Sequence, residues 1–130
     1  MAELLVPVSP GELIDKLTIL RIKAARIGDA EKLANVRREL ELLERTWRES
    51  AYAAHDVSAD LAALQAVNER LWDIEDRIRD QERAQSFDAA FVALARAVYV
   101  ANDERAAIKR RINVALGSSI VEEKSYARYR

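Results

Sequence analysis

Residues 58–85, SADLAALQAVNERLWDIEDRIRDQERAQ, decide the fold of this chain. Aliphatic residues recur in this stretch at steps of three and four positions: Leu61, Leu64, Val67, Leu71, Ile74 and Ile78. That spacing places them on one face of an α-helix. Because Ser58 is a good N-cap, the stretch predicts a helix that begins at residue 58 and ends near residue 85.

Two shorter helices are predicted before it. Ser9-Pro10-Gly11-Glu12 is typical of a capping box with proline at the first helical position, and Gly28 is a natural stop, so the first helix should span residues 10–27. Residues 1–8 are expected to form an extended lead-in. Asp29 can cap a second helix that frays near Ser50 and carries an apolar stripe of Leu33, Val36, Leu40, Leu43 and Trp47.

A long fourth helix is predicted after Ser86, which can serve as its cap. Its stripe consists of Phe91, Leu94, Val98, Ala101, Ile108, Ile112 and Leu116, and Gly117 ends it. From Phe87 to Leu116 such a helix would be about 45 Å long, longer than the first, so that it must kink or project. A projecting end usually needs a partner chain to cover it. In the C-terminal tail, residues 118–130, Ser119 and Glu122 predict a short final helix.

These elements predict an all-α fold: one domain over residues 1–130, arranged as an antiparallel four-helix bundle with a long fourth helix and a short C-terminal tail. Half of the residues are hydrophobic and a third are charged, which favours a helical bundle over disorder. The first helix is apolar on more than one side, at Ile14, Ile19 and Ile22. It is therefore either the central helix or part of an interface, and we expect a homodimer.

Composition excludes several classes of function. The formal charge is -1, so no overall field draws the chain to nucleic acid. No apolar run is long enough to span a membrane and no export segment is visible, which predicts a cytoplasmic protein. There is no cysteine, and Asp73, Asp76 and Asp80 lie among arginines on what should be a solvated face. We therefore expect no metal and no cofactor.

A row of polar residues lies inside the apolar stripe of the fourth helix. A turn of 100° per residue puts Asn102, Arg105, Lys109 and Asn113 in the arc of the stripe. Asn68 and Glu75 fall in the apolar arc of the third helix, and Arg21 lies beside Leu17 in the first. These seven residues are the candidate ligand-binding residues.

The charges in this row are unbalanced, with Arg21, Arg105 and Lys109 against Glu75. A buried charge is costly unless it is paired, so a surplus of positive charge would suit a carboxylate or phosphate ligand. Alternatively, polar residues at such positions fix the register of helices, and long Arg and Lys side chains reach out to solvent. The sequence leaves both interpretations open, and it assigns no catalytic residue.

Three segments resemble a family of small bacterial proteins: SPGELIDKLTIL at residues 9–20, the pair Asn102-Asp103 with IKR at residues 108–110, and VEEKSY at residues 121–126. That family is a domain of unknown function. The resemblance spans nearly the whole chain and implies a bacterial cytoplasmic protein, but no activity and no catalytic residue.

From these observations we expect a helical binding or scaffolding module that acts as a homodimer. The alternative is a small enzyme or binding protein for an anionic small molecule. The tail could in addition dock onto a protein partner through Tyr126 and Tyr129. No nucleic-acid partner and no membrane partner is expected.

Overall fold

The computed structural model describes residues 2–129, and positions 1 and 130 of the predicted domain lie outside them. Within this part of the chain there are four α-helices and no strands: α1 Pro10–Arg26, α2 Ala30–Arg48, α3 Ser58–Arg83 and α4 Ala89–Ala115. The all-α prediction is confirmed. No helix of the described residues is both long enough and apolar enough to cross a membrane.

Helix α1 is the centre of the arrangement. It packs against α2, α3 and α4, whereas α2 packs only against α1. Five apolar side chains around its circumference are buried: Leu13, Ile14, Leu17, Leu20 and Ile22. The four helices therefore do not form a square bundle in which each helix touches two neighbours. Helices α1, α3 and α4 form the core, and α2 covers the remaining side of α1.

The core lies at one end of the long helices. Its fully buried residues are Ile14 and Leu17 of α1, Leu64 and Val67 of α3, and Ala101, Ile108 and Ile112 of α4. The expected stripe residues Phe91, Leu94 and Val98 are only half-buried, and none of residues 69–100 is buried. The reason is length, because α1 has 17 residues whereas α3 and α4 have 26 and 27.

The predicted start of α3 at residue 58 is confirmed, but the predicted capping residues of α3 and α4 are wrong. Ser86 does not cap α4. Asp88 does, and its Oδ1 accepts a hydrogen bond from the backbone N–H of Phe91 at 3.1 Å. Gln85 has a positive φ of 56°, and the chain reverses direction between the end of α3 and the start of α4. At the start of α3, Ser58 is already helical, and Asp56 accepts its backbone N–H at 3.0 Å.

The tail does not form the predicted final helix. After α4, the described part of the tail, residues 118–129, is extended and runs back along α4. Glu122 pairs with Lys109, and the Tyr129 hydroxyl donates to Oδ2 of Asp103 at 2.6 Å. These side-chain contacts hold the tail in an extended conformation. A helix that begins at Ser119 would break them.

Helices α1 and α4 approach closely at Gly11. A methyl group there would lie 2.5 Å from the carbonyl oxygen of Lys109 and 2.8 Å from Oδ1 of Asn113. Real side-chain carbons do not come so near to a backbone oxygen, so a larger residue must push the helices apart. The glycine is therefore a requirement of packing, not of turn geometry.

We predict that Gly11→Ala lowers the free energy of unfolding by about 2 kcal/mol, because overpacking costs more than the gain in helix propensity. The matched control is Gly28→Ala, where nothing lies within 4 Å of the added carbon. It should be neutral or slightly stabilising. Urea unfolding of the two variants measures the difference, and equal midpoints would contradict the close approach.

Candidate functional site

A buried carboxylate lies at the junction of three helices. Asp15 of α1 has a relative exposure of 0%, as does Thr18 one turn later. Oδ1 of Asp15 accepts hydrogen bonds from Nε of Arg105 and from Nδ2 of Asn68, both at 2.9 Å. Arg105 also donates through Nη2 to Oδ2, which makes the pair bidentate. The carboxylate thereby links α1 to α3 and to α4.

Thr18 completes this network. Its hydroxyl donates to the backbone carbonyl of Asp15 at 2.7 Å and accepts from Nδ2 of Asn68 at 2.9 Å. Both donor hydrogens of the Asn68 amide are thus used within the network. A side chain that is 5% exposed and held in this way is fixed in one orientation.

The charged states of Asp15 and Arg105 support each other. Burial alone would raise the pKa of Asp15, but the hydrogen bonds from Arg105 and Asn68 outweigh it and hold that pKa below its usual value. The same hydrogen bond to Asp15 raises the pKa of Arg105. The carboxylate is therefore ionised in the folded protein, and its charge is compensated.

A second polar contact lies about two helical turns beyond Arg105, towards the C-terminus of α4. Asn113 is 2% exposed, and its Oδ1 accepts the backbone N–H of Gly11 at 2.7 Å. That N–H belongs to the first turn of α1 and has no partner within the helix. Asn113 therefore acts as an additional cap of α1, provided by α4.

Lys109 forms the third contact, between two carboxylates. Its Nζ lies 2.5 Å from Oε2 of Glu12 and 3.0 Å from Oε2 of Glu122. Burial lowers the pKa of Lys109, but the hydrogen bonds to the two glutamates outweigh this effect and raise it. Glu122 has a lowered pKa for the same reason. Lys109 therefore joins α1, α4 and the tail.

The structure brings together only part of the predicted set. Asn68, Arg105, Lys109 and Asn113 lie in one row along the interface of α1, α3 and α4. Asn102 is half-buried at the edge of that row. The other two predicted residues lie apart from it.

Arg21 and Glu75 have partners elsewhere. Arg21 pairs with Glu44 of α2, at 3.6 Å between Nη2 and Oε1. Glu75 pairs with Arg79 of its own helix. It is therefore not the counter-ion of Lys109.

The expected surplus of positive charge is wrong. The sequence argument counted cations on the stripes but missed the carboxylates that face them, Glu12, Asp15 and Glu122. Asp15 and Thr18 could have been found, because Gly11, Asp15, Thr18 and Ile22 are spaced at steps of four, three and four, as buried helix positions are. Glu122 carries no comparable signal, since it belongs to the tail.

An open groove of about 540 Å³ lies beside the network, between α1, α3 and α4. Its walls are apolar at Ile19, Ile22 and Trp72. Its polar lining contains both neutral and charged side chains: Asn68, Asn102, Arg105, Glu75, Asp76 and Arg79. Lys23 stands at the edge and has no ion pair among residues 2–129. Its volume lies in the usual range for a small-molecule site.

A second concave surface, of about 710 Å³, lies between the tail and α4. It is lined by Tyr99, Tyr126 and Tyr129, with Lys124 and Arg128 beside them. The rings of Tyr99 and Tyr129 meet edge to face at 4.8 Å. This surface can bind aromatic and acidic groups.

The acidic residues of α3 do not form a metal centre in the described part of the chain, where no three acidic or histidine side chains lie close enough together. Asp73 pairs with Arg26 at 2.5 Å, and Asp80 pairs with Arg83 at 2.5 Å. These carboxylates are neutralised at the surface by nearby arginines.

We predict that Arg105→Met destabilises the protein by about 3 kcal/mol or more, because it leaves the Asp15 carboxylate buried without its partner. Adding Asp15→Asn should recover much of this loss. The matched control is Arg70→Met, which breaks the pair with Glu104 that joins α3 to α4 at the surface. It should change the unfolding midpoint far less.

Urea unfolding of the single and double variants tests this cycle. A double variant that is no more stable than Arg105→Met alone would show that the two side chains do not act as a pair.

Comparison with known proteins gives one match. No curated protein and no solved structure matches the chain. A family model described as a family of unknown function, DUF6165, covers residues 4–129, nearly the whole length. The chain therefore belongs to the DUF6165 family.

Proposed function

We propose that this protein is a helical binding and scaffolding module that acts as a homodimer. The observation that carries the proposal is the size of its uncovered surface. The chain exposes 9101 Å². A monomer of 14.7 kDa would expose about 6,900 Å² by the usual scaling of surface with mass, so the excess is about 2,200 Å².

Several large apolar side chains contribute to this surface. The lead-in exposes Leu4 and Leu5 at 95% and 92%, and α4 exposes Val92 at 52%. Obligate homodimers bury about 2,000 Å² or more in total and have apolar interfaces. A second chain would bring the exposed area per chain towards that of an ordinary protein.

Such a dimer would offer its tails for binding. The Tyr126 ring is 80% exposed, and residues 124–129 contain Lys124 and Arg128 but no acidic residue. This composition would suit a protein partner with acidic and aromatic groups. The location that we propose is the bacterial cytoplasm, because the resemblance is to a bacterial family.

The second candidate is a small enzyme or binding protein for an anionic small molecule. The observation that favours it is Lys23, which has no ion pair among residues 2–129 and lines the groove of α1, α3 and α4 together with Arg105, Glu75 and Asp76. Arg105 already donates hydrogen bonds from Nε and Nη2 to Asp15. Lys23 would therefore carry the charge of such a site, and Asn102 would add an amide.

For the homodimer we expect light scattering after gel filtration to give about twice the chain mass of 14.7 kDa at micromolar concentration. The result should hold in moderate salt, because an apolar interface is screened little by ions. A mass of one chain at all concentrations up to about 100 μM would reject the proposal, since the interface should be far tighter than that.

For the anion site we expect phosphate or a dicarboxylate to raise the melting temperature, since a ligand at about 100 times its Kd stabilises by about 2.7 kcal/mol. Sodium chloride at equal ionic strength should not do so. The effect should disappear in Lys23→Met and persist in the matched control Lys32→Met on exposed α2. Equal loss in both variants would mean that the anion acts on general surface charge.

A further inference from the structure

The far half of the α3–α4 pair extends past the end of α1. We call residues 71–100 the distal hairpin. None of these residues is buried, although twelve consecutive residues of α4, Ala89–Val100, include only one charged residue, Arg96. A helix that is apolar all round is normally covered on every side. Here α3 covers one side, and the tail reaches the hairpin at Tyr99, whose ring Tyr129 contacts.

The uncovered side of α4 forms a continuous strip. At 100° per residue, Ala89, Val92, Ala93 and Val100 fall within one arc, and all four are exposed. Arg96 lies in the middle of the arc and has no ion pair among residues 2–129. At the tip, Phe87 is 54% exposed and meets Phe91 edge to face at 5.2 Å. The strip is about 18 Å long, from twelve residues of helix.

The hairpin is weakly packed within the single chain. A shallow groove of about 420 Å³ runs between the helices, lined by Gln81, Ala90, Ala93 and Leu94 among others. The side-chain oxygen of Gln81 is buried without a hydrogen-bond partner in the described chain. A two-helix hairpin with these features gains little stability from its own contacts.

We propose that the distal hairpin is the dimerisation surface, and that it packs against the distal hairpin of a second copy to form an intermolecular four-helix bundle. The inference deepens the proposed homodimer and rests on it. The two hairpins lie antiparallel about a two-fold axis, so that the same strip is buried on both chains.

Area favours a second copy as the occupant. The excess is about 2,200 Å² per chain, or about 4,400 Å² for two chains, which lies within the range that obligate homodimers bury in total. An interface between identical strips removes part of this area from both chains at once. A different partner would leave the apolar strip uncovered whenever that partner is absent.

The first test is a charge introduced into the strip. Val92→Lys should raise the dimer dissociation constant at least about 100-fold, because it would bury a second cation one turn from Arg96 with no carboxylate of the strip to pair with it. The matched control, Val114→Lys, lies on the same helix outside the hairpin. Both valines are exposed in the single chain, at 52% and 67%, so both variants should fold. Circular dichroism melts check the fold, and light scattering gives the mass.

The second test uses the absence of cysteine from the chain, which makes a single introduced thiol specific. Ala93→Cys should be joined into a covalent dimer by a short bis-maleimide, because residue 93 lies near the two-fold axis. Ala34→Cys, at an exposed alanine of α2, is the matched control. Its two thiols should lie far apart in the dimer, so that cross-linking should be at least about 10-fold slower than for Ala93→Cys.

The outcomes separate the two proposals. A dimeric wild type that becomes monomeric in Val92→Lys but not in Val114→Lys supports the hairpin interface. A dimer that survives Val92→Lys, or in which Ala93→Cys links no faster than Ala34→Cys, overturns this interface and leaves the homodimer in place. A monomeric wild type overturns both.

Discussion

The fold depends on one buried ion pair, between Asp15 of α1 and Arg105 of α4. An ionised carboxylate with no exposed surface is tolerated only where its charge and its lone pairs are met. Arg105 meets the charge through a bidentate contact, and Asn68 fills a remaining acceptor site from α3. A slip of α4 by one turn would move Arg105 about 5 Å along α1 and leave Asp15 without its partner. Apolar stripes alone would permit several such registers, and the buried pair selects one.

The length of the distal hairpin follows from that register. Once Asp15 lies opposite Arg105, the start of α1 falls opposite Asn113, where Gly11 allows the close approach. The end of α1 then falls opposite Asp73, which pairs with Arg26. The part of α3 after Asp73 and the part of α4 before about residue 100 have no segment of α1 to pack against. The polar network and the uncovered apolar hairpin are thus two consequences of the same alignment.

The sequence predicted the helices well because each is an apolar stripe with a period of 3.6 residues, which is a local property. It predicted their ends less well. Ser86 and Asp88 are both good caps, and only the reversal at Gln85 decides between them. The polar row on α4 was recognised from the same periodicity. Its partners were not, because periodicity gives the face of a residue and not the height at which another helix crosses it.

Arg21 and Glu75 illustrate that limit. Both lie near the apolar arc of their helices, yet Arg21 turns towards Glu44 and Glu75 towards Arg79. Glu122 illustrates the opposite case, a residue of the tail that becomes part of the row only because the tail folds back along α4. The packing of three helices and the tail determines which charged side chains form pairs. A count of charges on the helix stripes therefore could not give the net charge of the site.

The groups of the buried polar network already use most of their hydrogen-bonding capacity on one another, which limits where the protein can bind another molecule. Asp15, Thr18 and Asn68 satisfy one another, and Lys109 is held between two glutamates, so these groups have little free capacity to bind a further molecule. Their role is to fix the register, which is the best-attested use of buried polar groups in helical assemblies. Capacity for binding lies instead in surfaces that the single chain leaves incomplete. Lys23 stands at a groove without a counter-ion within the described chain, and the distal hairpin exposes an apolar strip that α1 is too short to cover. A rigid core that holds an uncovered hairpin in a fixed direction is well suited to join two chains in one defined geometry.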